Sequence, residues 1–241
     1  RPRRPISQKQ LFTSTAAVLA GMSALGIIGV WTGGAAFLHP HFAQVAEAME
    51  KESDSGPDLW LTKRCFLEAQ NPSDWAGDIC VRTQGATRNA LLWGDSFAAQ
   101  YIPGLIENQR KLTHNIIEYT FAGCPPVLSY RSYARPTCQD FNAQVFQVAA
   151  RYHVDAIVLS ARWDELRDRG LAGLSDTIRR LEAKCYKVYV LGQSPMFTFD
   201  VKMLDYRRAG EVPAGDARWF LNFSRKQNEA LRAASAQADF I

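Results

Sequence analysis

At 241 residues the chain is long enough for one sizeable domain and an appendage. Its net charge of +4 is not spread over the body: Arg1, Arg3, Arg4 and Lys9 stand together without an acid, and the rest carries 24 basic against 24 acidic residues. A neutral body lacks the basic face of a nucleic-acid binder, so no nucleic-acid partner is expected.

Residues 1–10 therefore read as a basic tail. The next stretch, residues 11–38 (LFTSTAAVLAGMSALGIIGVWTGGAAFL), holds no charge over about 28 positions, where a membrane helix needs about 20. Gly21, Gly26, Gly29, Gly33 and Gly34 would weaken a soluble helix but are common in membrane spans, and Trp31 and Phe37 lie toward the far interface. Basic residues before the span predict a cytoplasmic tail and an exported C-terminal body. A buried core helix or a signal peptide fits less well, because the run is long and has no clear small-residue cleavage site before His39. Residues 39–58 turn polar and acidic and end in Ser55-Gly56-Pro57, a linker with room for a short helix at 42–49.

Five cysteines follow. Cys65 and Cys80 bracket a polar segment within a short extension at 59–88, and Cys124 and Cys138 bracket a second that is rich in proline. Both are stretches that a disulfide can staple in an oxidising compartment. Neither pair has zinc-finger spacing and no His/Cys cluster accompanies them, so no metal site is expected. Cys185 is left over, either as a buried thiol or as a partner for a cysteine outside the chain.

From residue 89 the pattern alternates. Strands are predicted at 89–93 (NALLW), 115–121 (NIIEYTF), 155–160 (DAIVLS) and 187–191 (KVYVL), with a fifth beginning at 238–241. Helices are predicted at 97–111, at 171–184, at 217–237, and where Cys138, Phe141, Val145 and Val148 mark one face. Regular alternation with apolar, β-branched strands predicts an α/β fold, a parallel sheet flanked by helices, over residues 89–241. Right-handed crossovers then put functional loops at the carboxyl ends of the strands.

Gly94-Asp95-Ser96 stands at the first such end. Gly94 permits a tight turn, and Asp95 can hydrogen-bond backbone groups around it. Ser96 meets a helix start, where the dipole and free N–H groups favour a developing oxyanion. The plainer alternative is that Asp95 or Ser96 only caps the helix. The motif is not a G-x-S-x-G elbow, since glycine lies two before the serine and Ala98 two after.

Gly-Asp-Ser after a first strand, with Gly123 beyond the second, resembles the SGNH hydrolase and acyltransferase superfamily. The whole order resembles a narrower group, bacterial acyltransferase-3 membrane proteins fused to an SGNH domain. That order is a basic tail, one membrane helix, a linker, a cysteine-bracketed segment, LLWGDSFAAQY, TFAGCPPV and VLSARW. The resemblance implies that Ser96 is the nucleophile and that the N–H groups of Ser96 and Gly123 form the oxyanion hole. Family domains add an Asn from a third block, where this chain has Ser160-Ala161-Arg162-Trp163-Asp164. Arg162 or Trp163 can supply a donor there, while in the plainer reading Trp163 packs and Arg162 is a solvated charge.

A serine nucleophile also needs a base, normally His oriented by a carboxylate. His39 and His41 are juxtamembrane, and His114 and His153 precede strands, at the edge opposite the expected site. The resemblance places the Asp and His in an Asp-x-x-His block after the last strand, so the domain is expected to continue past Ile241. The expectation is an exported acyltransferase domain at the bacterial inner membrane, on its periplasmic side. It would pass an acyl group, acetyl above all, from a Ser96 ester to hydroxyls of a polysaccharide or glycolipid. The chain itself would bind no cofactor; an upstream acyltransferase-3 membrane domain would use acetyl-CoA as donor. A carbohydrate esterase with the same serine, and a non-catalytic glycan-binding scaffold, are the alternatives. Residues 192–195 (GQSP) could shape an acceptor pocket, and residues 200–215, with Arg207-Arg208, read as a surface loop.

Overall fold

In a computed structural model of the chain, residues 7–32, 59–166, 168–195 and 221–241 are the described ones. The predicted linker at 39–58, the loop at 200–215 and the first residues of the helix expected from 217 lie outside them.

The chain divides into two units. In the first, helix α1 spans Gln8–Trp31. Its start is set by a capping box: Ser7 Oγ accepts the Gln10 N–H at 3.2 Å, and Gln10 Oε1 accepts the Ser7 N–H at 3.3 Å. Twenty-four residues rise about 36 Å, enough to cross a hydrocarbon core of about 30 Å. Phe12, Met22, Leu25 and Trp31 all point outward from it, and by length and composition it can span a membrane.

The second unit is a six-stranded sheet: β1 (Phe66–Leu67), β2 (Arg88–Gly94), β3 (His114–Phe121), β4 (Val154–Ser160), β5 (Lys187–Val190) and β6 (Asp239–Phe240). Every pairing is parallel, in the spatial order β1-β3-β2-β4-β5-β6. The parallel α/β sheet expected from the alternation is thus present, with strand ends within a residue or so of the expected ones. β1 was not expected. The segment at 59–88, read as a short extension, supplies the sheet's edge strand, with Phe66 opposite Thr120 and Leu67 opposite Phe121. Two residues are too short a run to show a period.

The predicted helix at 97–111 is broken into α2 (Ser96–Ala99) and α3 (Ile102–Glu107), followed by a 3-10 turn at Gln109–Lys111. Pro103 lacks the N–H that a continuous helix would need. The helix carrying Cys138 and Val148 likewise divides, into α4 (Cys138–Ala143) and α5 (Val145–Arg151), and is followed in the chain by α6 (Asp168–Glu182) and α7 (Leu221–Ala234).

Side-chain alternation sorts the core into two layers. Leu91, Trp93, Ile117, Tyr119, Ile157 and Leu159 face the larger one, closed by Phe141 and Val145, by Leu174 and Ile178 of α6 and by Leu231 of α7. Ala90, Leu92, Ile116 and Ala156 face the smaller, under Ala98 and Ile102. Helices α2 and α3, after β2, therefore pack on one face, and α4, α5, α6 and α7 on the other. The strand order reverses beside β2, and a doubly wound sheet opens its crevice there, at the carboxyl ends of β2 and β4.

The edge at β1 is held by a buried charge pair. Arg82 pairs with Glu118 of β3, the two side chains 7% and 0% exposed. Thr120 Oγ1 donates to Glu118 Oε1 at 3.1 Å, and Trp75 Nε1 donates to the Glu118 carbonyl oxygen at 2.9 Å. Burial pushes the Glu118 carboxyl up to about 7, against the opposing pull of Arg82. The Cys65–Cys80 disulfide, Cα–Cα 5.4 Å, closes the same segment.

Candidate active site

Gly94 is fixed by contact. A Cβ there would stand 1.7 Å from the Ser160 carbonyl oxygen and 2.9 Å from Ala98 Cβ, so β2 and β4 meet at this point only over a glycine.

Asp95 resolves the capping question. It is the N-cap of α2: its Oδ1 accepts the Phe97 N–H at 2.8 Å. Its Oδ2 accepts the Arg162 N–H at 2.9 Å, tying the exit of β2 to the exit of β4. The carboxyl is 3% exposed, and burial pushes it up to about 6 against these two bonds, with Glu165 adding to the rise and Arg162 opposing it.

Ser96 is thereby released from capping. It is the first residue of α2 and partly exposed, and among the described residues neither its hydroxyl nor its N–H has a hydrogen-bond partner. α2 has only four residues, so the free N–H groups matter here more than a helix dipole. Among the described residues the Gly123 N–H is likewise without a partner. The Ala122 N–H before it goes to the Leu67 carbonyl oxygen at 2.7 Å, and the Cys124 N–H after it goes to the Phe121 carbonyl oxygen at 3.1 Å. Gly123 has φ +63°, a left-handed conformation that suits glycine.

Cys124 and Cys138 are bonded, Cα–Cα 5.6 Å, and close a loop over this edge. Burial pushes the loop's Tyr130 phenol up, and the carboxylates of Glu165 and Asp95 push it the same way, which brings the loop into the field of the crevice. Asn142 anchors it. Its Nδ2 donates to the carbonyl oxygens of Pro125 at 3.0 Å and Val127 at 2.9 Å, while its Oδ1 accepts Trp93 Nε1 at 3.0 Å. One fully buried amide thus joins the loop to the residue before Gly94. Asn142 was missed in the sequence, although a polar residue four past Cys138, on the apolar stripe, is the signal for such a buried bond.

The third block is placed differently from the donors expected of it. Trp163 is fully buried and its Nε1 donates to the Leu191 carbonyl oxygen at 2.7 Å, so its N–H is not available to a ligand and its part is packing. The Arg162 guanidinium turns to its own loop, 3.1 Å from Asp164 and 3.2 Å from Glu165. What Arg162 gives the site is its backbone N–H, through Asp95. Gln193, 3% exposed, accepts the Asp164 N–H at 3.0 Å and donates to the Ser194 carbonyl oxygen at 3.0 Å, which holds the exits of β4 and β5 together.

Both described histidines lie far along their strands from this edge: His114 opens β3 and His153 immediately precedes β4, at the amino ends. Cys185 is an exposed, unpaired thiol in this structure, not a buried one.

A family model described as "SGNH domain (fused to AT3 domains)" matches residues 64–240. Among solved structures, the chain is similar to the periplasmic domain of a lipopolysaccharide acetyltransferase of Salmonella serovar Paratyphi A. The TM-score is 0.65 and the identity 14%, over 83% of this chain and 81% of that one. At that identity the likeness is one of fold. No curated protein sequence matches the chain.

Proposed function

The chain belongs to the family of SGNH domains fused to AT3 domains, and on that premise we propose that it is the exported module of a membrane-bound O-acyltransferase. Ser96 is its nucleophile, and the N–H groups of Ser96 and Gly123 hold the oxyanion. One observation carries this reading: Asp95 performs the capping, and among the described residues the Ser96 hydroxyl, the Ser96 N–H and the Gly123 N–H have no hydrogen-bond partner.

In the reaction, Ser96 Oγ attacks the carbonyl carbon of a donor acyl ester or thioester. The carbonyl π pair moves to oxygen and the hydroxyl proton passes to a histidine base. Collapse expels the donor's alcohol or thiol, which takes that proton. An acceptor sugar hydroxyl then repeats the steps on the Ser96 ester. In this reading the base is the histidine of an Asp-x-x-His pair, oriented by its aspartate. The upstream acyltransferase-3 domain supplies the acyl group, acetyl from acetyl-CoA, across the bacterial inner membrane, which α1 anchors. The acceptor is a cell-envelope or secreted polysaccharide, or a glycolipid, on the periplasmic side. The lipopolysaccharide acetyltransferase similarity supports that acceptor class.

Partial exposure of Ser96 favours a second reading, a carbohydrate esterase, because water reaches the same ester. The test is the full-length protein carrying Ser96→Ala, with O-acyl groups on envelope glycans quantified. Loss of acylation is expected; unchanged acylation overturns the role of Ser96, and a gain in acylation identifies the esterase.

A further inference from the structure

We propose that Arg135 is the third oxyanion donor of this site, a proposal that rests on Ser96 being the nucleophile. Arg135 sits three residues before Cys138, whose N–H donates to the Arg135 carbonyl oxygen at 3.1 Å. Cys124 directly follows Gly123. The Cys124–Cys138 bond therefore folds the end of the loop back onto its beginning, and Arg135 Nε lies 3.8 Å from the place a Cβ on Gly123 would occupy. That place is two bonds from the free Gly123 N–H.

The guanidinium is uncommitted. Arg135 is half-buried, yet among the described residues its side chain has neither a hydrogen bond nor an ion pair. Arg82, Arg151, Arg162 and Arg179 all have carboxylate partners. Five N–H donors held part-way out of water without an acceptor, next to the Gly123 backbone, make a place for negative charge. The rival donors are spent: Trp163 Nε1 on Leu191, Asn142 Nδ2 on Pro125 and Val127, Gln193 Nε2 on Ser194, and the Arg162 guanidinium on Asp164 and Glu165. A guanidinium stays charged across the working pH range, so it binds the oxyanion in the transition state more strongly than it binds a neutral carbonyl.

A fluorophosphonate probe tests this without knowledge of the acceptor. Ser96 Oγ forms a bond to phosphorus, fluoride leaves, the proton goes to the base, and the phosphoryl oxygen takes the oxyanion's place. The labelling rate of Ser96 is measured in the full-length protein in membranes, for the wild type, Arg135→Met, Arg135→Lys and Ser96→Ala. Because the site is partly open to solvent, Arg135→Met is expected to slow labelling by about 10- to 100-fold, at or below the roughly 100- to 1000-fold effect of losing one donor in an enclosed oxyanion hole. Arg135→Lys restores part of the rate, and the melting temperature stays put. Labelling of Arg135→Met at the wild-type rate overturns the proposal while leaving Ser96 standing. So do equal losses in both Arg135 variants accompanied by a lowered melting temperature, which mark a structural role. An effect confined to KM for the glycan acceptor overturns it too. Wild-type labelling of the same peptide in Ser96→Ala removes the nucleophile, and the role of Arg135 with it.

Discussion

Two segments of the unit that holds the sheet are closed by disulfides of nearly equal span, Cys65–Cys80 at a separation of 15 and Cys124–Cys138 at 14, and they are built to opposite ends. In the first, the strongest polar groups are satisfied: Arg82 meets Glu118, Trp75 meets the Glu118 carbonyl oxygen, and an edge strand is stitched onto β3. In the second, the anchor Asn142 is saturated, but among the described residues the Arg135 side chain and the adjoining Gly123 N–H have no partners. Buried polar groups in folded proteins are almost always paired, as they are in the first segment, while the partly exposed donors of the second are open to water or a ligand. The same cross-link serves an edge in one case and a site in the other.

The contrast is easiest to break at its most buried point. Arg82→Met leaves Glu118 without its partner and should cost about 3–5 kcal/mol, read from the denaturant midpoint, while the Ser96 labelling rate per folded molecule stays unchanged. A fall in that rate would join the two segments in one function. Removing either disulfide should cost about 3 kcal/mol, since the loops are of similar length. Only the Cys124→Ala/Cys138→Ala pair should also slow Ser96 labelling, because only that loop carries Arg135. Equal slowing in the Cys65→Ala/Cys80→Ala pair would contradict the division. Asn142→Ala strands the Trp93 N–H and two loop carbonyl oxygens and should cost about 2 kcal/mol, with a modest loss of labelling as the loop loosens.

The gentlest probe is pH. Asp95 is raised in the folded chain from 3.8 to about 6, so folding binds its proton more tightly. Its contribution to stability is therefore greatest at low pH, declines between about pH 4 and 6, and is level above that. Activity should run the other way. Protonation surrenders an acceptor for the Phe97 or Arg162 N–H, so labelling should fall a few-fold below about pH 6. A flat profile through that range would detach Asp95 from the geometry of the site.

Much of the fold was legible because parallel strands buried on both faces read as short apolar runs, and NALLW, NIIEYTF and DAIVLS are such runs. β1 was not legible, since two residues carry no period. The break at Pro103 should have been, because proline within a helical pattern marks one. At the site, Gly94 and Ser96 were visible as a motif and capping by Asp95 or Ser96 was foreseen, but the 1.7 Å approach that demands glycine belongs to the neighbouring strand, and which of the two residues caps is decided only by the Asp95 bond to the Phe97 N–H. Arg162 and Trp163 drew notice as residues with N–H groups, but availability depends on partners that the chain brings from residues 164, 165 and 191. Arg135 was invisible for the converse reason. It reads as one more loop arginine until the disulfide brings it to Gly123.

The most direct measurement is capture of the acyl-enzyme. Full-length protein in membranes is given labelled acetyl donor, quenched in acid before acceptor is added, and mapped by peptide mass spectrometry. One acetyl ester is expected on Ser96, absent in Ser96→Ala and discharged when acceptor glycan is supplied. An acetyl group found elsewhere, or glycan acetylated at the normal rate with no ester ever on Ser96, would contradict it.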